Sequence, residues 1–500
     1  MARETEIKYE ADADTELPQL GSLPGVHALR GPDLEQLEAE YYDTADLRLL
    51  NAGITLRRRK GGHDAGWHLK LPLSADNTRE EISRPLGPVS EPPRELTDLI
   101  RARLRGQELI TVAVITTTRQ RSVLLGPREE ALAEVADDQV HGMPRIGGAS
   151  ASRWREIEVE LTADTPDLLV AADHMLRRAG LQRSQRSAKL ERTLGSILPN
   201  EPGLGDGATA ADVITAYLRE HADRLAAEDP RVRHRETDSV HKMRVATRRL
   251  RSTLRSFPTV LPAAGTAHLA AELKWLGAVL GEERDAEVQA GRMDDHVSRT
   301  DVALLLGPVA ARLQAHRAKA AATAHRGVEA ALDSQRYDAL LASLETAITG
   351  TTDGPAARRP AKKVLKSAVG RSFRKATRRM HAAAAEAPGP ARDVGLHSAR
   401  KAAKRARYAA EAAAPVCGTP ARKFAKQMKK VQSVLGDHQD TVVGRALARD
   451  LAVAANLAGE SAFTYGLFYG YDACAGERLD AQAAKVWQKA RKSKYRAWLT

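Results

Sequence analysis

Glu4, Glu6 and Lys8 alternate with Thr5, Ile7 and Tyr9 near the start of the chain. A β-strand there puts three charges on one face and the less polar residues on the other. Two like charges beside a lysine pack poorly, but they suit a divalent cation and a phosphate. The oddity recurs. Arg57 shares a face with Arg59, His68 and Lys70 oppose Trp67, Leu69 and Leu71, and Arg119 shares a face with Arg121. Glu156, Glu158 and Glu160 alternate with Ile157, Val159 and Leu161, and Glu134 shares parity with Asp138 if that strand runs straight. For any single strand the plain reading is charge toward water. Taken together, acidic and basic strands are separate and scattered along the chain. Closed into a barrel with these faces inward, they would give one acidic wall for a hard cation such as Mg²⁺ or Mn²⁺. The Arg/Lys wall would meet the phosphate oxygens that the metal also touches.

A second pattern is helical. Positions i, i+3, i+7 and i+10 of a helix fall within an arc of about 80°. His241, Arg244, Arg248 and Arg251 make one such stripe, and His397, Arg400, Lys404 and Arg407 make another. Neither stretch contains an acid, although like charges at this spacing repel. One basic face reads as solvated surface. Two with the same four positions, each led by histidine, point to a bound anion, to which a protonated histidine would donate most strongly. About forty residues after each histidine comes Leu280, Gly281 and Asp285, then Leu435, Gly436 and Asp440. These aspartates would orient the basic side chains or cap a following helix. Further basic clusters at Arg371/Arg374/Arg378, Arg422/Lys423/Lys426/Lys429/Lys430 and Lys485/Lys489/Lys492 read as more wall or as solubilising surface.

The elements that must position these residues fall into two regions. Residues 1–195 carry short alternating runs at 4–9, 54–59, 67–71, 116–125, 131–135 and 155–161, with helical patterns near 91–106 and 166–179. Residues 196–208 form a linker by composition. Residues 209–500 read as helical, and Pro/Gly breaks at 350–360 and 388–390 leave two related halves, about 209–350 and 361–500. Five hundred residues exceed one core. A net charge of +13 favours polyanions, while 4% aromatics disfavours a nucleic-acid reader that stacks bases. Cys417 and Cys474 show no metal spacing and read as reduced, packed thiols. Without an apolar signal core or an apolar run of about 18 residues, the expectation is a soluble cytoplasmic protein with no membrane partner.

Glu4, Glu6 and Lys8 match the ExExK signature of the CYTH superfamily, the triphosphate tunnel metalloenzymes. Tyr42, Asp43 and Thr44, the runs 53–59, 67–72 and 155–160, and Ser187 to Leu190 also resemble that family. The resemblance spans nearly all of residues 1–195 and implies an antiparallel eight-stranded β tunnel that binds triphosphate with a divalent metal. By position, Glu4, Glu6, Glu156 and Glu158 look like metal-side residues. Lys8, Arg57, Arg59, Lys70, Arg119, Arg121 and Lys189 look like the phosphate side. Glu81, Glu134, Asp138 and Glu160 join the metal side with the register open, since Glu80 competes with Glu81 and Asp137 with Asp138. Residues from about 208 to 500 resemble a CHAD domain, which implies an all-α fold of two pseudo-symmetric halves with inorganic polyphosphate bound between them. The second copy has Lys404 where the first has Arg248, and a lysine lacks the bidentate fork.

The whole is an α+β multidomain fold. The function implied is Mg²⁺- or Mn²⁺-dependent hydrolysis of inorganic triphosphate or short polyphosphate, with Glu4, Glu6, Lys8, Arg57 and Arg59 as the catalytic set. Polyphosphate bound by the helical domain would associate the protein with polyphosphate granules. The alternative is a polyphosphate-binding protein without turnover. Adenylate cyclase activity, which also occurs in the superfamily, and nucleic-acid binding rank lower.

Overall fold

The computed structural model describes residues 2–72, 78–87, 91–184, 186, 188–197, 205, 207–350 and 354–499; the side chains of residues 2–4, 78, 263 and 264 lie outside that description. The chain forms two compact units, Met1–Glu201 and Pro202–Thr500.

The first unit is a curled antiparallel sheet of nine strands among the described residues: β1 (Ala2–Ala11), β2 (Ala28–Asp43), β3 (Thr55–Lys60), β4 (Gly66–Pro72), β5 (Thr78–Arg84), β6 (Ile110–Leu125), β7 (Ala131–Pro144), β8 (Ser152–Leu161) and β9 (Gln182–Arg183). Their order is β5-β4-β3-β2-β6-β7-β8-β1-β9, and β5 pairs again with β1. That second pairing sets Arg3 opposite Glu80 and Glu4 opposite Arg79. It joins β1 to β8 into a ring and leaves β9 as a two-residue addition on β1. Helices α1 (Arg48–Asn51), α2 (Arg94–Leu104), α3 (Pro166–Arg178) and α4 (Lys189–Leu194) accompany the sheet.

The sheet buries its apolar parity on the outside. Ile7, Tyr9, Val135, Ile157 and Val159 pack with Leu168, Ala172 and Leu176 of α3. Leu56, Trp67, Leu69 and Ile82 pack with Leu96 and Ile100 of α2. Each fully buried aliphatic contributes about 1.5–3 kcal/mol, so these outer faces fix the register and force the charged parity inward. β2 carries no such signal at its start, where seven successive residues are exposed, and alternation alone did not mark it. Tyr42, Asp43 and Thr44 serve the fold. Asp43 is fully buried and accepts from the backbone N–H of Thr44, Leu49 and Leu50 at 2.7, 2.9 and 2.9 Å, which anchors α1.

The second unit is helical: α5 (Ala210–Arg233), α6 (Ser239–Ser256), α7 (Ala263–Arg299), α8 (Val309–Leu332), α9 (Gln335–Thr349), α10 (Ala361–Ala385), α11 (Pro390–Leu457), α12 (Phe463–Ala490) and α13 (Ser493–Arg496). A capping box starts α5: Asp212 N–H donates to Thr209 Oγ1 at 3.3 Å and Thr209 N–H to Asp212 Oδ2 at 2.8 Å. α11 is broken at Gly418, where φ is 63°, a left-handed angle that glycine adopts without strain. Its two segments correspond to α6 and α7. The starts of α5 and α10 exchange hydrogen bonds reciprocally, Ala210 N–H to Arg359 O at 2.9 Å and Ala361 N–H to Ala208 O at 3.1 Å, as a local twofold requires. Cys417 is half-buried and Cys474 exposed, both free, so Cys474 is not the packed thiol that the sequence suggested. No helix among the described residues is long and apolar enough to cross a membrane.

Candidate functional site

The charged parity of the ring lines a cavity of about 440 Å³. Glu6 and Lys8 reach it from β1, Arg57 and Arg59 from β3, and Lys70 and Glu81 from β4 and β5. Arg119 comes from β6, Glu134 from β7, Glu158 and Glu160 from β8, and Lys189 from the start of α4. Leu190 and Leu194 of α4 pack with Ala39, Tyr41 and Ile115, which holds Lys189 in the lumen. Both open registers are decided. Glu81, not Glu80, lines the cavity. β7 runs straight, so Asp138 lies inside at 0% exposure, and Asp137 on the other face pairs with Arg155 at 2.9 and 2.8 Å.

Asp138, Glu156 and Glu158 bring carboxylate oxygens within 4.8 Å of one another. The Lys189 ammonium touches all three, at 2.9, 2.6 and 2.8 Å. Arg119 grips Asp138 through two bonds of 2.7 Å and Glu158 through one of 3.0 Å. Lys8 lies 2.6 Å from Glu158 and 3.2 Å from Glu6. Burial would raise the Glu158 carboxyl, but Lys189, Lys8 and Arg119 hold it well below its usual range. Burial would likewise lower Lys189, and the three carboxylates raise it instead.

Glu160 is the exception. It stands between Glu6 on β1 and Glu134 on β7 in the cross-strand register, with no hydrogen bond or ion pair among the described residues. Burial raises its carboxyl, and Glu6, Glu158 and Glu81 add to the effect against Lys70. A divalent cation beside Glu6 and Glu160 would supply the missing charge, so these residues fit a metal. The opposite wall gathers three cations around two carboxylates. Arg59 pairs with Asp64, Lys70 lies 3.7 Å from Glu81, and Arg57 donates to Tyr41 Oη at 3.4 Å and lies 4.0 Å from the same Glu81; the Nε atoms of Arg57 and Arg59 are buried without a partner among the described residues. Burial, with Arg57 and Arg119 adding, pulls the Arg59 guanidinium down to about 9.

Some expected residues stand elsewhere. Arg121 pairs with Glu134 at 2.9 Å outside the cavity wall. Glu156 sits behind it, accepting from Trp154 Nε1 at 2.6 Å. Glu4 has its backbone in β1 and its side chain outside the described residues. Sequence reasoning missed Tyr41 and Arg79, which both line the cavity. Tyr41 is on β2, the strand without an alternation signal. Its phenol is held below the usual range because Arg57, Lys189 and Arg59 outweigh burial.

The second unit contains a cavity of about 550 Å³ with no carboxylate in its lining among the described residues. Arg244, Arg248 and Arg251 of α6 face His397, Arg400 and Lys404 of α11 across it. The repeated glycines explain themselves. A Cβ at Gly281 would stand 3.4 Å from Arg244 Nη2, and one at Gly436 would stand 3.3 Å from Arg400 Nε. Each glycine therefore gives a guanidinium room to lie on the helix. Asp285 accepts from Arg244 at 2.9 Å and so orients that arginine, while burial raises the Asp440 carboxyl against the opposing charge of Arg400; both aspartates lie inside helices, so neither caps one. Burial, then Arg248 and Arg400, push the Lys404 amine down to about 6. Burial and neighbouring cations also lower Arg248, His241 and His397. The histidines therefore meet an anion as neutral donors at neutral pH. His241 and Arg407 do not line the cavity, and Arg407 is held by Glu411 at 2.7 Å and Gln432 at 3.2 Å. Lys274, Lys375, Arg379, Lys401 and Arg405 line it and were not singled out. On α10 the expected cluster was Arg371/Arg374/Arg378, one helical step away from the residues that face inward.

Residues 2–194 match the CYTH domain and residues 216–449 the CHAD domain. The proteins Rv2226 and MT2285 of Mycobacterium tuberculosis are 36% identical to the chain over 510 aligned positions, covering 98% of each sequence. Among solved structures, PptA from Streptomyces chartreusis covers 56% of this chain and 100% of its own at 20% identity and a TM-score of 0.47. The CHAD domain from the plant Ricinus communis covers 60% of this chain and 94% of its own at 25% identity and a TM-score of 0.42. By the two domain matches and the 36% identity to the mycobacterial proteins, the chain belongs to the family of proteins that carry a CYTH domain followed by a CHAD domain.

Proposed function

We propose that the first unit hydrolyses inorganic triphosphate or short polyphosphate with Mg²⁺ or Mn²⁺, and that the second unit binds polyphosphate. The observation that carries the reading is a single lumen with an acidic side, on which Glu160 has no ion-pair partner among the described residues, facing a basic side where Arg57 has only a distant carboxylate at 4.0 Å. Arg57, Arg59, Lys70 and Arg119 would hold phosphate oxygens and offset the charge that develops on the transferred phosphoryl group. Glu4, Glu6, Glu158 and Glu160 would hold the metal, with Glu81, Glu134, Glu156 and Asp138 around them. A bound Mg²⁺ or Mn²⁺ supplies charge neutralisation and a water of lowered pKa. Lys8 and Lys189 would exchange a carboxylate partner for a phosphate oxygen as substrate enters. In the second unit, a wall of cations without a carboxylate suits a ligand that is nothing but charge.

The test is phosphate release from tripolyphosphate by the full chain with Mg²⁺ or Mn²⁺, which Glu6→Gln should abolish and Glu4→Gln should match. Arg244→Ala with Arg400→Ala should remove polyphosphate binding. One observation favours a second reading, a binding protein without turnover: Lys189 already gives the Asp138/Glu156/Glu158 trio an internal cation. A wild-type protein inert toward every triphosphate with both metals would establish that reading instead.

A further inference from the structure

The two halves of the helical unit do not contribute equally to its cavity. Burial aligns α5 with α10: Ile214, Leu218, Ala222 and Leu225 correspond to Leu365, Val369, Phe373 and Ala376. In that register Arg224 answers to Lys375 and Glu228 to Arg379. On the facing helices the histidine-led repeat makes Arg249 answer to Arg405, Ser252 to Tyr408, and Arg255 to Glu411.

One side of this comparison is neutralised. Arg224 pairs with Glu220 at 2.5 Å and Glu228 lies 3.8 Å from Arg231. Arg249 pairs with Glu411 at 3.0 Å. Tyr408, which has the guanidiniums of Arg249 and Arg407 over its ring at 5.4 Å each, stands at the edge of the cavity where the other half has only Ser252. The other side is bare. Arg255, Lys375, Arg379 and Arg405 all line the cavity, and none makes a hydrogen bond or ion pair among the described residues. Arg405 first, then burial, Arg255 and Arg379, lower the Lys375 amine. From Arg244 to Arg255 the basic wall runs about 16 Å along α6, well beyond a single phosphate.

We propose that Arg255, Lys375, Arg379 and Arg405 form a second anion subsite that extends the central one in a single direction, so that the unit selects linear polyanions by length. The proposal rests on the polyphosphate reading of this cavity. A short anion fills the centre between Arg244, Arg248, Arg400 and Lys404. A longer chain runs on toward α10, because the pseudo-symmetric path is closed by Tyr408 and the Glu411 ion pairs.

The experiment is calorimetric titration of the full chain with pyrophosphate, tripolyphosphate and long-chain inorganic polyphosphate. It compares wild type with a Lys375→Ala/Arg379→Ala double variant and with Arg224→Ala on the closed side. For the double variant the loss of affinity should grow with chain length, reaching about tenfold or more for the long chain. Its salt dependence should be shallower by about 0.7 per lost contact. Arg224→Ala should bind all three as wild type does. A loss equal at every length, no loss at all, or the same loss from Arg224→Ala would overturn the subsite while leaving the polyphosphate reading intact. If wild-type protein binds none of the three, the reading beneath it fails, and the subsite with it.

Discussion

Removing the Lys404 charge should stabilise the empty protein while weakening its hold on an anion. Lys404 faces Arg244 and Arg248 from α6 and Arg400 from its own helix, and these with burial bring its pKa from 10.5 to about 6. Each pKa unit is worth about 1.36 kcal/mol. At pH 7 the unfolded chain holds this proton firmly and the folded cavity does not, which costs folding on the order of 4–5 kcal/mol. Rotation of the surrounding arginines toward water screens part of this and leaves about 2–4 kcal/mol. Lys404→Met keeps the apolar stem and removes the ammonium. Unfolding of the full chain by urea in low-salt, phosphate-free buffer at pH 7 should therefore show a higher midpoint for the variant, in the transition that long polyphosphate shifts in wild type. The sign with pH is fixed. The folded pKa is the lower one, so the cost is fully present below about 6 and fades as pH climbs toward 10.5. The gap between variant and wild type should narrow accordingly. Saturating polyphosphate should narrow or reverse it, since the anion stabilises the charged form. A variant no more stable than wild type at pH 7, or a gap indifferent to pH, would refute the claim that the cavity is short of negative charge.

Two substitutions probe the supporting geometry. Gly436→Ala places a methyl 3.3 Å from Arg400 Nε; it should weaken polyphosphate binding several-fold by moving that guanidinium, while the helix gains about 0.5–1 kcal/mol from losing a glycine, read by titration and thermal melting. Lys189→Met strips the cation from Asp138, Glu156 and Glu158 and should destabilise the first unit by about 3–5 kcal/mol in urea unfolding. Mg²⁺ or Mn²⁺ should restore part of that stability, and so should mild acid, because Asp138 and Glu158 owe their lowered pKa values first to Lys189.

The sequence disclosed the tunnel through a pattern that only a closed sheet makes sensible. Glu156, Glu158 and Glu160 alternate with Ile157 and Val159 in the way any half-solvated strand would. What separates a lumen from solvent is where α2 and α3 pack, and that is decided by residues far away in the chain, such as Leu96 and Leu168. Asp138 and Glu81 could not be separated from their neighbours by parity, because the straight course of β7 and the pairing of β5 with β1 are properties of the ring. Tyr41 was invisible for a related reason: β2 begins in exposed residues and its inward positions at Leu37, Ala39 and Tyr41 look like core. In the helical unit the repeat located the right pair of helices but set the stripe one position off at its far end. Tyr408 lines the cavity and Arg407 does not, because Glu411 draws Arg407 away.

The two units handle buried charge in opposite ways, and the difference bears on what each can do. In the tunnel most cations come already paired: Lys8, Arg119 and Lys189 each touch carboxylates at 3.0 Å or closer. A phosphate chain entering there must break internal ion pairs, which reduces the net gain on binding and equally eases departure of product. On the proposed function, such a site would hold its ligand moderately and release it, as turnover requires. In the helical cavity no carboxylate lines the wall among the described residues, although Arg244 is held from outside it by Asp285, so an anion would relieve repulsion and displace fewer internal ion pairs. More of its interaction energy would appear as affinity, and the empty state would carry the cost in stability. If binding is tight in the second unit and catalysis lies in the first, the measured constants should separate that way. A tunnel that bound tripolyphosphate as tightly as the cavity binds long polyphosphate would show that its internal ion pairs do not compete with substrate.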